Sequence, residues 1–353
     1  MKKSICFFVT VVFFYAGLLQ AQQINAFKNL ADMQFDRYGM ACTTDGEFIY
    51  VFGGGTYSLN GYLDNIERYD PVSNSWQVIG ENMIQRNFHN AEYIKQENKI
   101  YIFNGEYFSN KNKNPSDKPL SSRYNNTNTE GLGDLMTPLK VADVNKTGFT
   151  DIIEVIDLNA GSVTLLNSNP FPVLSAGTAV WDNKIYVFGG WNPKGFSDRL
   201  YEYNTAKDEW TRLEDMPEAK QTTGKIVDGV LYTFGGKDNS TPYFKTIHAY
   251  NIKDKKWELV GELPEGIAAT ASATDGKNIF LAGSYNNIYY LAVFDTKTKT
   301  TRVLKTDMKG RRYAAAQIIN NTLFVIGGVQ TDETATTLKS LQAADCNLLI
   351  GKK

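Results

Sequence analysis

Lys184-Ile185-Tyr186-Val187-Phe188-Gly189-Gly190 decides the fold: a β-branched and aromatic run stopped by two glycines. The run recurs as Ile49-Tyr50-Val51-Phe52-Gly53-Gly54, Leu231-Tyr232-Thr233-Phe234-Gly235-Gly236 and Leu323-Phe324-Val325-Ile326-Gly327-Gly328. Two degenerate copies, Ile100-Tyr101-Ile102-Phe103-Asn104-Gly105 and Ile279-Phe280-Leu281-Ala282-Gly283, fill the gaps. Subtracting the positions of the closing glycines (54, 105, 190, 236, 283 and 328) gives spacings of 51, 85, 46, 47 and 45 residues. Short apolar runs bounded by glycine read as buried strands. One such strand returning at a near-constant period is the mark of a radial array of small sheets.

Outward from the quoted copy, the repeat resolves into four strands. Residues 176–181 form a small-residue strand, Asp182-Asn183 turn the chain, and residues 184–188 form the second strand. Leu200-Tyr201-Glu202-Tyr203 and Trp210-Thr211-Arg212-Leu213 supply the third and the outermost. Glycines are expected where strands converge on an axis and leave no room for a Cβ. A second spacing is constant too: Tyr69/Trp76, Tyr203/Trp210 and Tyr250/Trp257 are pairs seven residues apart, with turn-rich residues between. Ile156/Val163 and Phe294/Thr301 are the degenerate equivalents.

A Gly-Gly doublet followed by a tyrosine and then a tryptophan seven residues on resembles the kelch repeat, over residues 24–345. The resemblance implies an all-β, six-bladed kelch-type β-propeller with four-stranded blades. Ring closure is legible at the amino terminus: Phe27-Lys28-Asn29-Leu30-Ala31-Asp32-Met33 matches Trp210-Thr211-Arg212-Leu213-Glu214-Asp215-Met216 in register. Residues 24–31 therefore read as an outer strand without inner strands, and the last repeat lacks an outer strand. Pairing the two closes the ring and leaves only short sheet edges. The 85-residue spacing places an insertion at residues 107–150, between the second and third strands of blade 2, suited to a binding loop or a disordered segment. The domains expected are a signal segment at 1–21, a propeller at 22–346 and a tail at 347–353.

Composition narrows the function classes. Lys+Arg 37 against Asp+Glu 38 is no nucleic-acid footprint. Lys2-Lys3 followed by the apolar residues 5–19 and a small residue at Ala21 reads as an export signal, giving a periplasmic or secreted protein without membrane insertion after cleavage. Export permits a disulfide between Cys42 and Cys346, but Cys42 lies in a strand pattern, and two buried thiols are the favoured expectation.

In kelch propellers the loops after each glycine doublet and the loops between blades share one face. Carried over, that face holds Arg37, Tyr38, Arg86, Trp191, Lys220, Tyr285, Arg311, Arg312 and Tyr313. These cations and aromatics would ring the channel mouth and hold a carboxylate, sugar or peptide; alternatively, the basic residues bond neighbouring loop carbonyls. The expected partner is a protein, peptide or glycan, with no cofactor. Galactose oxidase, also built on kelch blades, uses paired histidines around copper, whereas this chain has only His89 and His248, on different blades. Asp143, Asn145, Thr147, Asp151 and Glu154 are spaced as in a calcium loop, a polar turn being the competing reading. Asn104-Gly105-Glu106 is similar to sialic acid mutarotases, which implies Glu106 as a general base, although no arginine follows it closely.

Overall fold

The computed structural model describes residues 23–81, 83–107, 148–241, 243–331 and 334–351. Among these residues, six four-stranded antiparallel sheets follow one another around an axis. Blade 1 comprises Ala41–Thr44, Ile49–Phe52, Ile66–Asp70 and Ser75–Gly80. Blade 2 begins at Asn90–Ile94, blade 3 at Gly177–Trp181, blade 4 at Gln221–Val227, blade 5 at Ala271–Thr274 and blade 6 at Ala315–Ile319. A short helix, Cys346–Ile350, capped by Asp345 and Gly351, ends the described chain.

The second strand of every blade is the quoted apolar run, buried because it is paired on both edges and packed on both faces. Its side chains feed six apolar clusters, one at each blade interface, from Tyr50 against Ile100 to Phe324 against Tyr69. The last of these joins blade 6 to blade 1. Closure is completed by Lys28–Asn29, which pairs in register with Ala343 and Gln342 as the outer strand of blade 6. In blade 2, Lys99–Phe103 pairs directly with Ile153–Asp157, so residues 104–152 leave and re-enter between neighbouring strands. Residues 1–22 and 108–147, carrying the expected signal and most of the insertion, lie outside the described residues.

The seven-residue spacing is a cross-strand pair. Tyr69, Tyr203 and Tyr250 lie opposite Trp76, Trp210 and Trp257, with ring centroids 5.1, 4.4 and 5.1 Å apart. Such contacts add about 0.5–1.5 kcal/mol each beyond area burial. Two of the indoles also staple blades together: Trp76 donates to the Ala31 carbonyl of blade 6, and Trp257 to that of Glu214 behind blade 3. Ile156/Val163 and Phe294/Thr301 occupy the same register without rings.

The doublets serve the axis. Gly54, Gly105, Gly190, Gly236 and Gly328 each donate their amide to the carbonyl at one equivalent position in the next blade: Arg86, Val173, Lys220, Ile267 and Arg37. At blade 5 a Cβ on Gly283, whose φ is +69°, would lie 2.2 Å from the Arg311 carbonyl. Asn104, in the doublet's first place at blade 2, accepts φ +65° and ties its amide to Asn90 and Asn169.

Candidate functional site

The loop after each doublet pairs with the loop entering the blade. Tyr38 bridges Gly55, Asn87 pairs with Glu106, Leu174 bridges Trp191, Gln221 pairs with Lys237, and Arg312 bridges Val329. Both loop sets therefore share one face.

Four of the expected ligand contacts are not on its surface. Arg37, Arg86 and Arg311 are fully buried and Lys220 is 1% exposed. Arg37 donates to the Gly53 carbonyl, to Asn65 and to the Glu67 carboxylate. Arg86 donates to the Asn104 and Ile152 carbonyls and pairs with Glu154 at 3.1 Å. Arg311 donates to the Gly327 carbonyl at 3.1 Å and to Gln342 at 2.9 Å, and burial lowers its pKa to about 10. Lys220 pairs with Glu218 at 2.5 Å, beside His248. The three arginines clamp the doublet loops, while Lys220 ties Glu218 and Thr246; a buried cation needs such partners, and here each finds them close by in its own chain.

The clamp has a sequence rule. Its second half follows the apolar residue that aligns with Ile66 in the third strand. The six pairs are Arg37/Glu67, Arg86/Glu154, Val173/Tyr201, Lys220/His248, Ile267/Ala292 and Arg311/Gln342. Where the first member is apolar, so is its setting: Val173 and Tyr201 share one core cluster, Ile267 and Ala292 another. Glu154 is thereby corrected as a calcium ligand, being buried against Arg86 and the Ile84 amide. Asp151 faces the Asn167 amide at 2.9 Å. Asp143, Asn145 and Thr147 lie outside the described residues.

What the loop face does present is an aromatic strip. Tyr57 and Tyr38 have ring centroids 5.1 Å apart, Tyr38 and Tyr313 6.3 Å, and Tyr313 and Tyr285 6.1 Å. Phe88 packs edge-on against Tyr313 at 5.0 Å. Tyr57 and Tyr285 are 47% and 40% exposed, so the strip is open at both ends. Arg312 lies over the Tyr285 ring at 4.0 Å, and Lys237 approaches the same ring at 5.9 Å. Beside Tyr38, Tyr62 donates to Glu106 at 3.2 Å. Burial pushes the Tyr313 and Tyr62 phenols up to about 12, so both stay neutral near pH 7. Trp191 stands apart, packed on Phe149 at 6.1 Å beside a groove of about 460 Å³.

Beside Tyr313 and Phe88 opens an axial cleft of about 160 Å³. Its rim is a partial ring of backbone bonds: Tyr313 donates to Ala269, Gly39 to Tyr313, Phe88 to Gly39 and Ser175 to Phe88. Phe88, Ser175, Ala269 and Tyr313 hold φ between +52° and +56° to make it. Blade 4 breaks the series, because a bulge between Gln221 and Thr223 turns the Thr222 hydroxyl onto the Phe234 carbonyl. Met40, His89, Ala176, Thr223, Thr270 and Ala314 line both this cleft and the polar channel below. His89 is 5% exposed, and neither ring nitrogen has a hydrogen bond among the described residues. Burial, then Arg86 and Arg37, holds it well below its ordinary pKa. Cys42 and Cys346 are free thiols, both pushed up to about 12 by burial.

A family model described as Attractin/LZTR1 beta-propeller matches residues 145–347, more than half of the chain, and one described as Kelch motif matches residues 36–83. The chain belongs to the Attractin/LZTR1 beta-propeller family, and its repeats are kelch repeats. It is similar to Kelch-like protein 36 of Bos taurus, 25% identical over 186 residues, covering 52% of this chain and 24% of that protein. Kelch-like protein 23 of Homo sapiens is 38% identical over 56 residues, 16% of this chain and 10% of the relative. Kelch-like protein terF of Aspergillus terreus is 34% identical over 98 residues, 25% and 21% respectively. The chain thus spans a quarter or less of the length of these relatives. Kelch propellers are typically protein-interaction modules.

Sequence reasoning placed Tyr38, Tyr285, Arg312 and Tyr313 on the loop face as ligand contacts but did not include Tyr57, Phe88 or Tyr62 among them. Phe88 had a signal: it stands two residues after Arg86, as Tyr313 does after Arg311 and Gly39 after Arg37.

Proposed function

We propose that this propeller is a binding module that seats a segment of another protein on its loop face, along the strip from Tyr57 to Tyr285. The observation that carries the proposal is the strip itself: four tyrosines in successive tilted or edge-on ring contact, exposed at both ends and bordered by a cleft. Tyrosines give large contact area at low entropic cost, with hydroxyl groups left for polar contacts. Selection from a display library of random dodecapeptides tests it. Enrichment on the wild-type protein, lost on a Tyr57→Ala/Tyr285→Ala variant with unchanged circular dichroism, supports the proposal. Equal enrichment on both refutes it. The export signal read at residues 1–21 would put the encounter in the periplasm or outside the cell; fractionation of expressing cells tests that, and a cytoplasmic full-length protein refutes it.

A sugar mutarotase is the second reading, favoured by one feature: the Glu106 carboxylate on the loop face beside Tyr62. Arg86 and Arg311 are committed to their clamps, which leaves Arg312 to grip an acidic substrate. Mutarotation of sialic acid anomers followed by NMR decides it; a rate equal to buffer ends the enzymatic reading.

A further inference from the structure

The strip has two different ends. At one, Arg312 and Lys237 share the Tyr285 ring. The guanidinium is oriented by stacking, its Nε makes no hydrogen bond, and no carboxylate among the described residues pairs with it. Arginine held this way presents its remaining N–H edge to a carboxylate. Toward the other end, beside Tyr38, Glu106 receives Tyr62 on Oε2, and its charge acts on both Tyr38 and Tyr62. Beneath Tyr57 lies a second carboxylate, Asp36, 8% exposed and bonded by Thr56, Ser58 and Thr337. A ring face beside a carboxylate suits an ammonium or guanidinium group. Between the ends, Tyr38, Tyr313 and Phe88 offer edges and faces and no charge.

Resting on the binding function proposed above, we infer that the partner is an extended segment with a basic residue at one end and an acidic residue at the other. The basic group sits over Tyr57 and Tyr38 toward Glu106, and the acidic group on Arg312 and Lys237. Successive centroid steps of 5.1, 6.3 and 6.1 Å set the reach. At about 3.3 Å per extended residue, these steps, summed to Tyr285 from Tyr38 or from Tyr57, set the two charges roughly four or five positions apart. The separation of charge also fixes direction, because a reversed segment sets like charges together at both ends.

The experiment repeats the dodecapeptide selection on wild-type protein, Glu106→Gln and Arg312→Gln, with Glu106→Asp and Arg312→Lys as charge-retaining controls and thermal melts confirming folding. Expected from wild type are sequences with one basic and one acidic residue four or five positions apart, in one constant order. Glu106→Gln loses only the basic preference and Arg312→Gln only the acidic one. Each neutralisation weakens the best synthetic peptide by roughly two- to fivefold, as rim charges do, and inverting the peptide's charge order costs more than either. Enrichment without charge preference, or with one that neither variant changes, overturns this inference and leaves the binding function standing. Failure to enrich any peptide, including the case in which only a glycan array gives signal, overturns both.

Discussion

Glu154→Ala should be the most damaging single change in blade 2, and blade 5 shows how to undo it. Glu154 is fully buried, paired with Arg86 and accepting the Ile84 amide at 2.9 Å. Burial raises its pKa against the pull of Arg86, and burial likewise lowers that of Arg86. Both charges therefore pay for desolvation and depend on each other. Removing the carboxylate strands a buried guanidinium, a loss of about 3–5 kcal/mol, and orphans one amide, about 1–3 kcal/mol more. Arg86→Ile/Glu154→Ala instead copies Ile267/Ala292 of blade 5, where the same two positions pack in an apolar cluster. With no stranded charge, what remains to cost is the Ile84 amide, the Asn104 and Ile152 carbonyls that Arg86 had satisfied, and imperfect packing. The double variant should thus be more stable than Glu154→Ala by about 2 kcal/mol or more. Urea unfolding followed by tryptophan fluorescence measures both midpoints. A double variant no more stable than the single would refute the view that these pairs are interchangeable clamps and that charge desolvation dominates their energetics.

Acid should destabilise the fold from pH 6.5 downward. His89 and His248 both have folded pKa values below 6.5, so the unfolded chain takes protons that the folded chain refuses. Their contribution is present above pH 6.5 and declines below it, at up to about 1.4 kcal/mol per pH unit per histidine until each folded pKa is reached, His89 having the longer decline; a His89→Leu variant with an unchanged acid slope would contradict this. Gly283→Ala, with a Cβ 2.2 Å from the Arg311 carbonyl, should cost more than Gly276→Ala, where φ is +85° but nothing lies within 4 Å. The second is worth about 1–2 kcal/mol of strain; comparable thermal shifts would mean the glycine serves conformation alone. Deleting residues 23–31 removes the outer strand of blade 6 and the Ala31 acceptor of Trp76, opening an edge along Leu341–Asp345. Size-exclusion chromatography should then show self-association. Cys42 and Cys346, both near pKa 12, should resist iodoacetamide at pH 8 in folded protein and react in urea.

The strands, their register and the ring closure were legible because each rests on a local, repeated signal. Tyr69 faces Trp76 since a seven-residue spacing across a tight turn permits little else. Residues 27–33 declared themselves an outer strand by matching residues 210–216. The loop face was legible only in part. Arg37, Arg86 and Arg311 look in sequence like Arg312, and nothing adjacent in the chain separates a clamp from a rim cation. The distinction lies some 30 residues or more downstream, at Glu67, Glu154 and Gln342, whose side chains meet the arginines only once three strands are laid side by side.

Sequence alone therefore determined the number of blades and the strand boundaries, because most strand pairing within a blade is between chain neighbours and the repeat reports it six times; the zipper between the termini, although long-range, was legible because residues 27–33 repeat the outer-strand pattern of residues 210–216. Tertiary structure decided which cations are buried, that Tyr57, Tyr38, Tyr313 and Tyr285 form one strip, and that blade 4 leaves the axial ring open. Those facts depend on contacts between blades, made by residues as far apart as Tyr38 and Tyr313. A ring brings such residues within one ring-to-ring contact, and no local pattern encodes that distance.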